Sequence, residues 1–200
     1  FAKLAQWRSD QPDDSMWTWR DNAAEVLGEG FVLWAPNIAD PSSLVRNLFL
    51  SCYGVAARAQ NASSSANVSG ALVNIAALEP RLVLQLLSDE ALSTSGDKVP
   101  GTAPFASNVA ALDLLCKLIE TNSAALRQVL DEIARIVVST MSPALPQLRK
   151  SCLEAVKRTI AAMAEAYPMV SFHKATQRVA VGLASSSIAI YDLNSARRLL

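Results

Sequence analysis

The fold is decided by residues 168–193, which read PMVSFHKATQRVAVGLASSSIAIYDL. Before Pro168, apolar residues recur at every third or fourth position, which is the spacing of helices with one buried face. After Pro168 they recur at every second position, which is the spacing of strands. This alternation predicts strands at three places, Met169–His173, Arg178–Leu183 and Ser187–Leu193, with turns at residues 174–177 and 184–186.

The composition is that of a folded protein with balanced charge. The 200 residues are 51% hydrophobic and 18% charged, and 18 Lys and Arg residues balance 18 Asp and Glu residues. Nucleic-acid-binding domains usually carry a basic surplus, so nucleic acid is not an expected partner. No apolar run approaches the ~18 residues that cross a bilayer. Because the sequence starts at Phe1 and shows no signal region, we expect a fragment of a longer soluble protein.

Glycine, proline and capping residues set the predicted limits of the first helices. The first helix opens at Ser15 and is ended by Gly28 and Gly30, because glycine accepts the left-handed conformation at a helix end. An apolar connector over Phe31–Ala35 is either a short strand or a buried turn. The next helix is capped by Asp40, followed by Pro41 at its first position.

The middle of the chain continues the helical pattern. The small polar run Asn61–Ser65 predicts a loop. The spacing of Val68, Leu72 and Ile75 predicts a helix after it, and Pro80 starts the next one. Three longer helices follow, one over residues 109–119, one over residues 126–137, and one that opens at Ser142-Pro143. The apolar face of the last one is predicted to contain Leu148, Cys152, Val156, Ile160, Met163 and Tyr167. Two outward charge pairs are expected at i,i+4 spacing, Asp131 with Arg135 and Glu154 with Arg158.

About seven helices of similar length have two natural packings, a closed bundle and an α-solenoid of helix pairs in the HEAT or armadillo style. The number of helices and their short connections favour the solenoid. The predicted fold is therefore mainly α, with a helical array over residues 1–168 and β-strands over residues 169–200. The strand pattern suits an incomplete blade of a β-propeller, which needs partner strands or a helical surface to cover it.

The strand segment resembles a WD40 repeat over Phe172-His173, Val179–Gly182 and Ile188–Leu193, with Tyr191-Asp192 in the place of the usual Trp-Asp pair. Tyrosine replaces tryptophan there, and no Gly-His pair precedes the blade. The join between the last helix and these strands resembles the C-terminal region of the rabconnectin β-subunit family of WD-repeat scaffolds, most closely over residues 143–193.

The resemblance implies a non-catalytic protein–protein scaffold. Rabconnectin pairs a β subunit with a larger α subunit, and the complex regulates assembly of the vacuolar-type proton pump and vesicle acidification. The implied partners are the α subunit and pump subunits. The implied location is the cytoplasm, with peripheral attachment to endosomal or synaptic vesicles through those partners. Two other functions remain open: a vesicle-coat or transport adaptor with the same architecture, and part of an enzyme whose site lies outside this fragment.

Few residues are candidates for a site. Four tryptophans near the N-terminus, when exposed, would form a partner contact, and when buried would anchor the first helices; they are Trp7, Trp17, Trp19 and Trp34.

Cysteine chemistry is not expected. Cys52, Cys116 and Cys152 fall on apolar helix faces as buried reduced thiols, and a Cys–His nucleophile would need one of them beside His173, the only histidine. We predict a hydrogen-bonded strand histidine instead. A zinc site is not expected, because neither CxxC nor HxxxH spacing occurs. We also predict no catalytic residue and no cofactor.

Overall fold

The computed structural model describes residues 14–57, 62–92 and 105–200, and the side chains within residues 22–50, 68–92 and 105–200. This part of the chain is mainly helical and ends in a small four-stranded antiparallel sheet, which confirms the predicted change of secondary structure after Pro168. The chain divides into two compact units, Phe1–Leu86 and Leu87–Leu200. The sheet thus shares a unit with the helices before it, whereas the predicted division at residue 168 follows secondary structure alone.

The first unit contains helices α1 to α4 and the start of α5. The helices are α1 (Asp14–Glu29), α2 (Phe31–Trp34), α3 (Pro41–Ala57), α4 (Ala62–Leu78) and α5 (Pro80–Ala91), with a 3-10 turn at Ala35–Asn37 between α2 and α3. Helix α4 packs against both α1 and α3. Its core-facing residues Val68, Leu72 and Ile75 are buried, as the helical spacing predicts.

Gly28 lies inside α1, at a position where the neighbouring helix α4 leaves no room for a side chain. A Cβ at this position would lie 2.5 Å from Cα of Ala71 on α4. The helix ends at Glu29, close to the predicted end, but the expected left-handed glycine is wrong. Gly30 has a φ of −87°, and it leads directly into α2. The apolar connector is therefore a short helix and a 3-10 turn.

Two predicted features of this unit have opposite outcomes. The predicted cap of α3 is confirmed, because the backbone N–H of Ser43 donates to Oδ1 of Asp40 at 3.0 Å and Pro41 is the first helical residue. The predicted loop over residues 61–65 is wrong from residue 62 onward, because α4 begins at Ala62. Serine disfavours a helix only slightly, so the packing of the α4 body decides the conformation of its first turn.

The second unit contains the end of α5 and the remaining helices. They are α6 (Ala106–Thr121), α7 (Ser123–Leu126), α8 (Leu130–Ser139) and α9 (Pro146–Ala166), with a 3-10 turn at Arg127–Val129 between α7 and α8. Helices α6 and α9 pack together. Thr159 on α9 is buried and donates from Oγ1 to the carbonyl of Leu112 on α6 at 3.3 Å.

Of the two predicted charge pairs, one is confirmed and one is wrong. Arg135 Nε lies 3.6 Å from Oδ2 of Asp131, as expected. Arg158 instead places Nη2 2.6 Å from Oδ1 of Asp113 on α6, and Glu154 pairs with Lys157 at 2.7 Å. Arg158 faces the neighbouring helix, so tertiary packing replaces the local pair.

The last helix starts later than predicted. It begins at Pro146, and Ser142-Pro143 lies in the preceding turn, where the N–H of Leu145 donates to the carbonyl of Ser142 at 3.1 Å. Proline suits the second position of such a turn as well as the first position of a helix. Both Pro143 and Pro146 are therefore possible first residues of the helix. The buried face along the helix is as predicted, and it includes Leu148, Cys152, Val156, Ile160, Met163 and the following Tyr167.

The strands follow one another in a simple meander. They are β1 (Val170–His173), β2 (Arg178–Gly182), β3 (Ile188–Asp192) and β4 (Arg197–Arg198), in the order β1-β2-β3-β4. The first three match the predicted strands to within one residue at each end, and β4 is additional. Phe172 pairs with Val179, and Val179 pairs with Tyr191, so these three share the face that packs on α8 and α9.

Candidate interaction surface

The Tyr191 side chain holds the sheet against α8. It is 1% exposed, and its hydroxyl donates to Oδ1 of Asp131 at 2.6 Å. Arg198 Nη1 lies 3.5 Å from the same carboxylate oxygen, and Arg135 approaches the other oxygen. Burial raises the pKa of Tyr191, and the hydrogen bond to Asp131 raises it further. The phenol therefore keeps its proton and remains a donor.

Asp192, the second residue of the WD-like pair, fixes the turn between β3 and β4. Its Oδ2 accepts the Ser195 hydroxyl at 2.6 Å, and its Oδ1 accepts the backbone N–H of Asn194 at 3.1 Å. The Ser195 bond is the main cause of a lowered pKa for the Asp192 carboxyl. This turn contains Ala196 with a φ of +54°, a conformation that non-glycine residues rarely adopt. The carboxylate thus supports a tight connection at the edge of the sheet.

The sheet face turned away from the helices carries aliphatic and basic side chains. Ile188 is 57% exposed, and Leu199, which continues the pairing beyond β4 by donating its N–H to Ile190 O at 2.7 Å, is 50% exposed. Arg178 and Arg197 are exposed on either side of Asp192, which the register places between them. We define the open sheet face by the residues Arg178, Ile188, Ile190, Arg197 and Leu199. Its apolar centre and basic margin are suited to contact with another protein.

Of the four tryptophans, only Trp34 has a side chain that the structure describes. Trp34 is half-buried at the end of α2, and a side chain on Gly30 would collide with its indole. Trp7 lies outside the described residues, and Trp17 and Trp19 lie in α1 at positions whose side chains are not described. The structure adds two aliphatic residues that sequence reasoning did not select, Val32 at 61% and Leu33 at 72% exposure. They belong to the apolar connector, whose helical form turns them outward.

The single histidine is engaged by its own turn. The backbone N–H of Thr176 donates to Nδ1 of His173 at 3.3 Å, and Oγ1 of Thr176 lies 2.8 Å from the same nitrogen. This arrangement confirms the predicted hydrogen-bonded strand histidine.

The thiols of the second unit are held in their neutral form. Burial, followed by the charge of Glu120, raises the pKa of Cys116 to about 11. Burial raises the pKa of Cys152 to about 11 as well. Cys152 is buried as predicted, whereas Cys116 is half-exposed and its Sγ lies 3.5 Å from Oε1 of Glu120. Both environments oppose thiolate formation, which nucleophilic cysteines need. Cys52 lies in α3 at a position whose side chain is not described.

One open pocket of about 500 Å³ lies where the end of α9 meets the α7 region. Its lining is Ser123, Ala124, Arg127, Ala166, Pro168 and Met169. The polar groups are one serine hydroxyl and one exposed guanidinium. Among residues 14–57, 62–92 and 105–200, no group of three or more His, Cys, Asp or Glu side chains is placed to hold a metal ion. None of the helices in this part is both long and apolar enough to cross a membrane.

Comparison with known proteins adds no relative. No family model, curated protein or solved structure matches this chain. The assignment of function therefore depends on the geometry of the chain and on its sequence resemblance.

Proposed function

We propose that this chain is a non-catalytic protein–protein interaction module, in which helix pairs of the HEAT or armadillo type lead into the opening blade of a WD40-type propeller. The observation that carries the proposal is the two-sided sheet. One face packs on α8 and α9, and the open sheet face exposes Ile188 and Leu199. A sheet with apolar groups on both faces is typical of a layer between two neighbours.

The topology supports the blade. WD40 blades are four-stranded antiparallel sheets, and β1 to β4 form a meander of that size in consecutive order. The segments that carry the WD40 resemblance fall on β1, β2 and β3, and their loops fall between the strands. Tyr191 occupies the place of the tryptophan and, like a core aromatic, is buried. Its bond to Asp131 makes the helices the support of the blade.

The open sheet face favours binding to a protein surface that carries acidic side chains. The carboxylate of Asp192 is occupied by Ser195 and the Asn194 N–H. The exposed guanidinium groups of Arg178 and Arg197 flank this carboxylate and outnumber its single negative charge, so the margin of the face has a small net positive charge. Complementary charge at the margin sets orientation and association rate, while the aliphatic centre supplies most of the affinity.

The partner we propose is the rabconnectin α subunit, and through it the vacuolar-type proton pump. This choice rests on the resemblance over residues 143–193, which includes α9 and the first three strands. In this role the chain works in the cytoplasm on the surface of endosomal or synaptic vesicles, held there by its partners. Its contribution is to hold the surfaces that bind its partners in fixed positions.

Calorimetric titration of the purified α subunit into this chain tests the proposal. We expect binding with a Kd on the order of 1 μM or tighter, equivalent to about −8 kcal/mol. Ile188→Lys, on the open sheet face, should weaken binding at least about tenfold, because it places a charge in the apolar part of the contact. Leu153→Lys, at an exposed position of α9, is the matched control and should leave the Kd unchanged.

Two results would count against the proposal. Absence of a binding signal at about 100 μM protein, with both proteins folded, would remove the rabconnectin partnership. Equal weakening by Ile188→Lys and Leu153→Lys would remove the open sheet face as the contact.

A further inference from the structure

The turn between α8 and α9 presents a serine whose hydroxyl is available. Ser142 is half-exposed, and residues 143–147 are all exposed. In the part of the chain that the structure describes, no hydrogen bond engages the Ser142 hydroxyl. Thr140, two residues earlier, is buried, and its Oγ1 donates to the carbonyl of Val137 at 2.7 Å. Of these two neighbouring hydroxyls, only that of Ser142 is accessible to an enzyme.

The residue after Ser142 defines the class of enzyme. Ser142-Pro143 is the only Ser-Pro or Thr-Pro pair in the 200 residues. Proline has a fixed φ and no backbone N–H, and a kinase that selects proline at this position recognises both properties. The turn that follows Ser142 is closed by one backbone hydrogen bond, from the N–H of Leu145 to the carbonyl of Ser142, and the N–H of Ser142 donates to the carbonyl of Ser139. Exposed segments with few such bonds open readily, and the segment can then extend into a kinase cleft.

A basic side chain already lies beside this turn. Arg149 Nη1 donates to the carbonyl of Met141 at 3.2 Å and to the carbonyl of Asn194 at 3.1 Å. It therefore links the residue before Ser142 to the β3–β4 turn. Both acceptors are neutral carbonyl oxygens, whereas a phosphate offers three strong acceptors and close to two negative charges. A phosphate on Ser142 would compete successfully for this guanidinium.

We propose that Ser142 is a phosphorylation site of a proline-directed protein kinase, and that its phosphate draws Arg149 away from Asn194 and loosens the β3–β4 turn. In the reaction, Oγ of Ser142 attacks the γ-phosphorus of ATP and forms the new O–P bond. The bond from that phosphorus to the β,γ-bridging oxygen breaks and ADP leaves. The hydroxyl proton passes to the base of the kinase. The modification acts on the edge of the sheet next to the open sheet face.

The modification is tested on the whole folded chain with a purified proline-directed serine kinase and Mg-ATP. Intact mass and peptide fragmentation should show one phosphoryl group, located on Ser142. Ser142→Ala should abolish it, and Pro143→Ala, which keeps the hydroxyl, should reduce the rate at least about tenfold. Ser139→Ala, three residues earlier and not followed by proline, is the matched control. Phosphorylation of a peptide of residues 136–150 but not of the folded chain would overturn the proposal.

The structural effect is tested by hydrogen exchange on the phosphorylated chain. The N–H of Leu199, which pairs with Ile190, should exchange about tenfold faster after phosphorylation, because the turn that leads into β4 has lost its link to Arg149. Arg149→Met should show the faster exchange without phosphate, and phosphorylation should then add nothing. Unchanged exchange at Leu199 in the phosphorylated wild-type chain would refute the role of Arg149.

Discussion

The hydroxyl of Tyr191 on β3 and the carboxylate of Asp131 on α8 are 2.6 Å apart, and their hydrogen bond joins the sheet to a helix 60 residues earlier in the sequence. The acceptor also receives Arg135 and Arg198, so one carboxylate collects contacts from its own helix, from β3 and from β4. The position of the sheet on α8 therefore depends on a small number of polar atoms as well as on apolar packing.

Removing the Tyr191 hydroxyl should destabilise the second unit. For Tyr191→Phe we expect a loss of about 1–2 kcal/mol in the free energy of unfolding, since a hydrogen bond to a charged group is lost. Urea denaturation measures it. Tyr167→Phe is the matched control, because within the described residues the Tyr167 hydroxyl is buried without a hydrogen-bond partner. That change should be neutral or stabilising, and equal losses for both variants would contradict the role of Asp131.

The close approach of α1 and α4 should be sensitive to a single methyl group. Gly28→Ala places Cβ 2.5 Å from the backbone of Ala71, so the helices must separate and we expect a loss of about 1–3 kcal/mol. Gly70→Ala, on α4, meets no atom within 4 Å. It should stabilise by roughly 0.5–1 kcal/mol, because alanine is the better helix former. Thermal unfolding of both variants checks the prediction, and a shift of the same sign in both would refute it.

A buried carboxylate should unfold the second unit. Leu115 on α6 has no exposed surface, and Leu115→Asp would bury an unpaired charge or a costly neutral acid at a cost of several kcal/mol. Circular dichroism with heating measures the loss. Leu153→Asp, at an exposed position of α9, should change stability by less than about 1 kcal/mol. A Leu115→Asp variant that melts with the parent protein would show that the register of α6 is wrong.

Cys116 should react slowly for a half-exposed thiol. A pKa of about 11 in place of 9.0 lowers the thiolate fraction at pH 8 about 100-fold. Alkylation by iodoacetamide, followed by mass spectrometry of the Cys116 peptide, should be about tenfold slower than in the urea-unfolded chain, because the higher intrinsic nucleophilicity of the thiolate offsets part of the lower thiolate fraction. The rate in the folded chain should continue to rise with pH beyond 9, because the thiol is still mostly protonated there.

Glu120 provides a direct test of the cause. Its charge and its hydrogen bond both raise the pKa of Cys116, so Glu120→Gln should speed alkylation of the folded chain several-fold. Thr121→Gln, at the neighbouring exposed position, is the control and should have little effect. Equal reactivity of wild-type and Glu120→Gln chains would show that Glu120 does not raise the pKa of Cys116.

Sequence reasoning succeeded where the signal is local and periodic. The strands after Pro168 were predictable because a two-residue alternation has one structural meaning. The cap at Asp40 was predictable because an aspartate just before a helix accepts a backbone N–H of the first turn, here that of Ser43. The start of α9 was not predictable, because Pro143 and Pro146 satisfy the same rule and tertiary packing chooses between them.

Contacts between distant elements were beyond the sequence. Arg158 has a partner at the correct local spacing in Glu154, yet it pairs with Asp113 because α6 lies beside it. The hydrogen bond between Tyr191 and Asp131 has no sequence signal at all, since nothing in either segment specifies a neighbour 60 residues away. The open sheet face was only partly foreseen: the alternation assigns Ile188 and Ile190 to one face, and the structure shows which face the helices cover.

The short edge strand at β4 has a consequence for solubility. An uncovered strand edge is a template on which other chains add strands, and such growth leads to fibrils. Here β4 itself consists of Arg197 and Arg198, one of which reaches over to Asp131, and the pairing with β3 continues through Leu199 and Leu200. Two guanidinium groups stacked in register between identical copies would repel each other, so the arginine part of this margin disfavours self-templated strand addition.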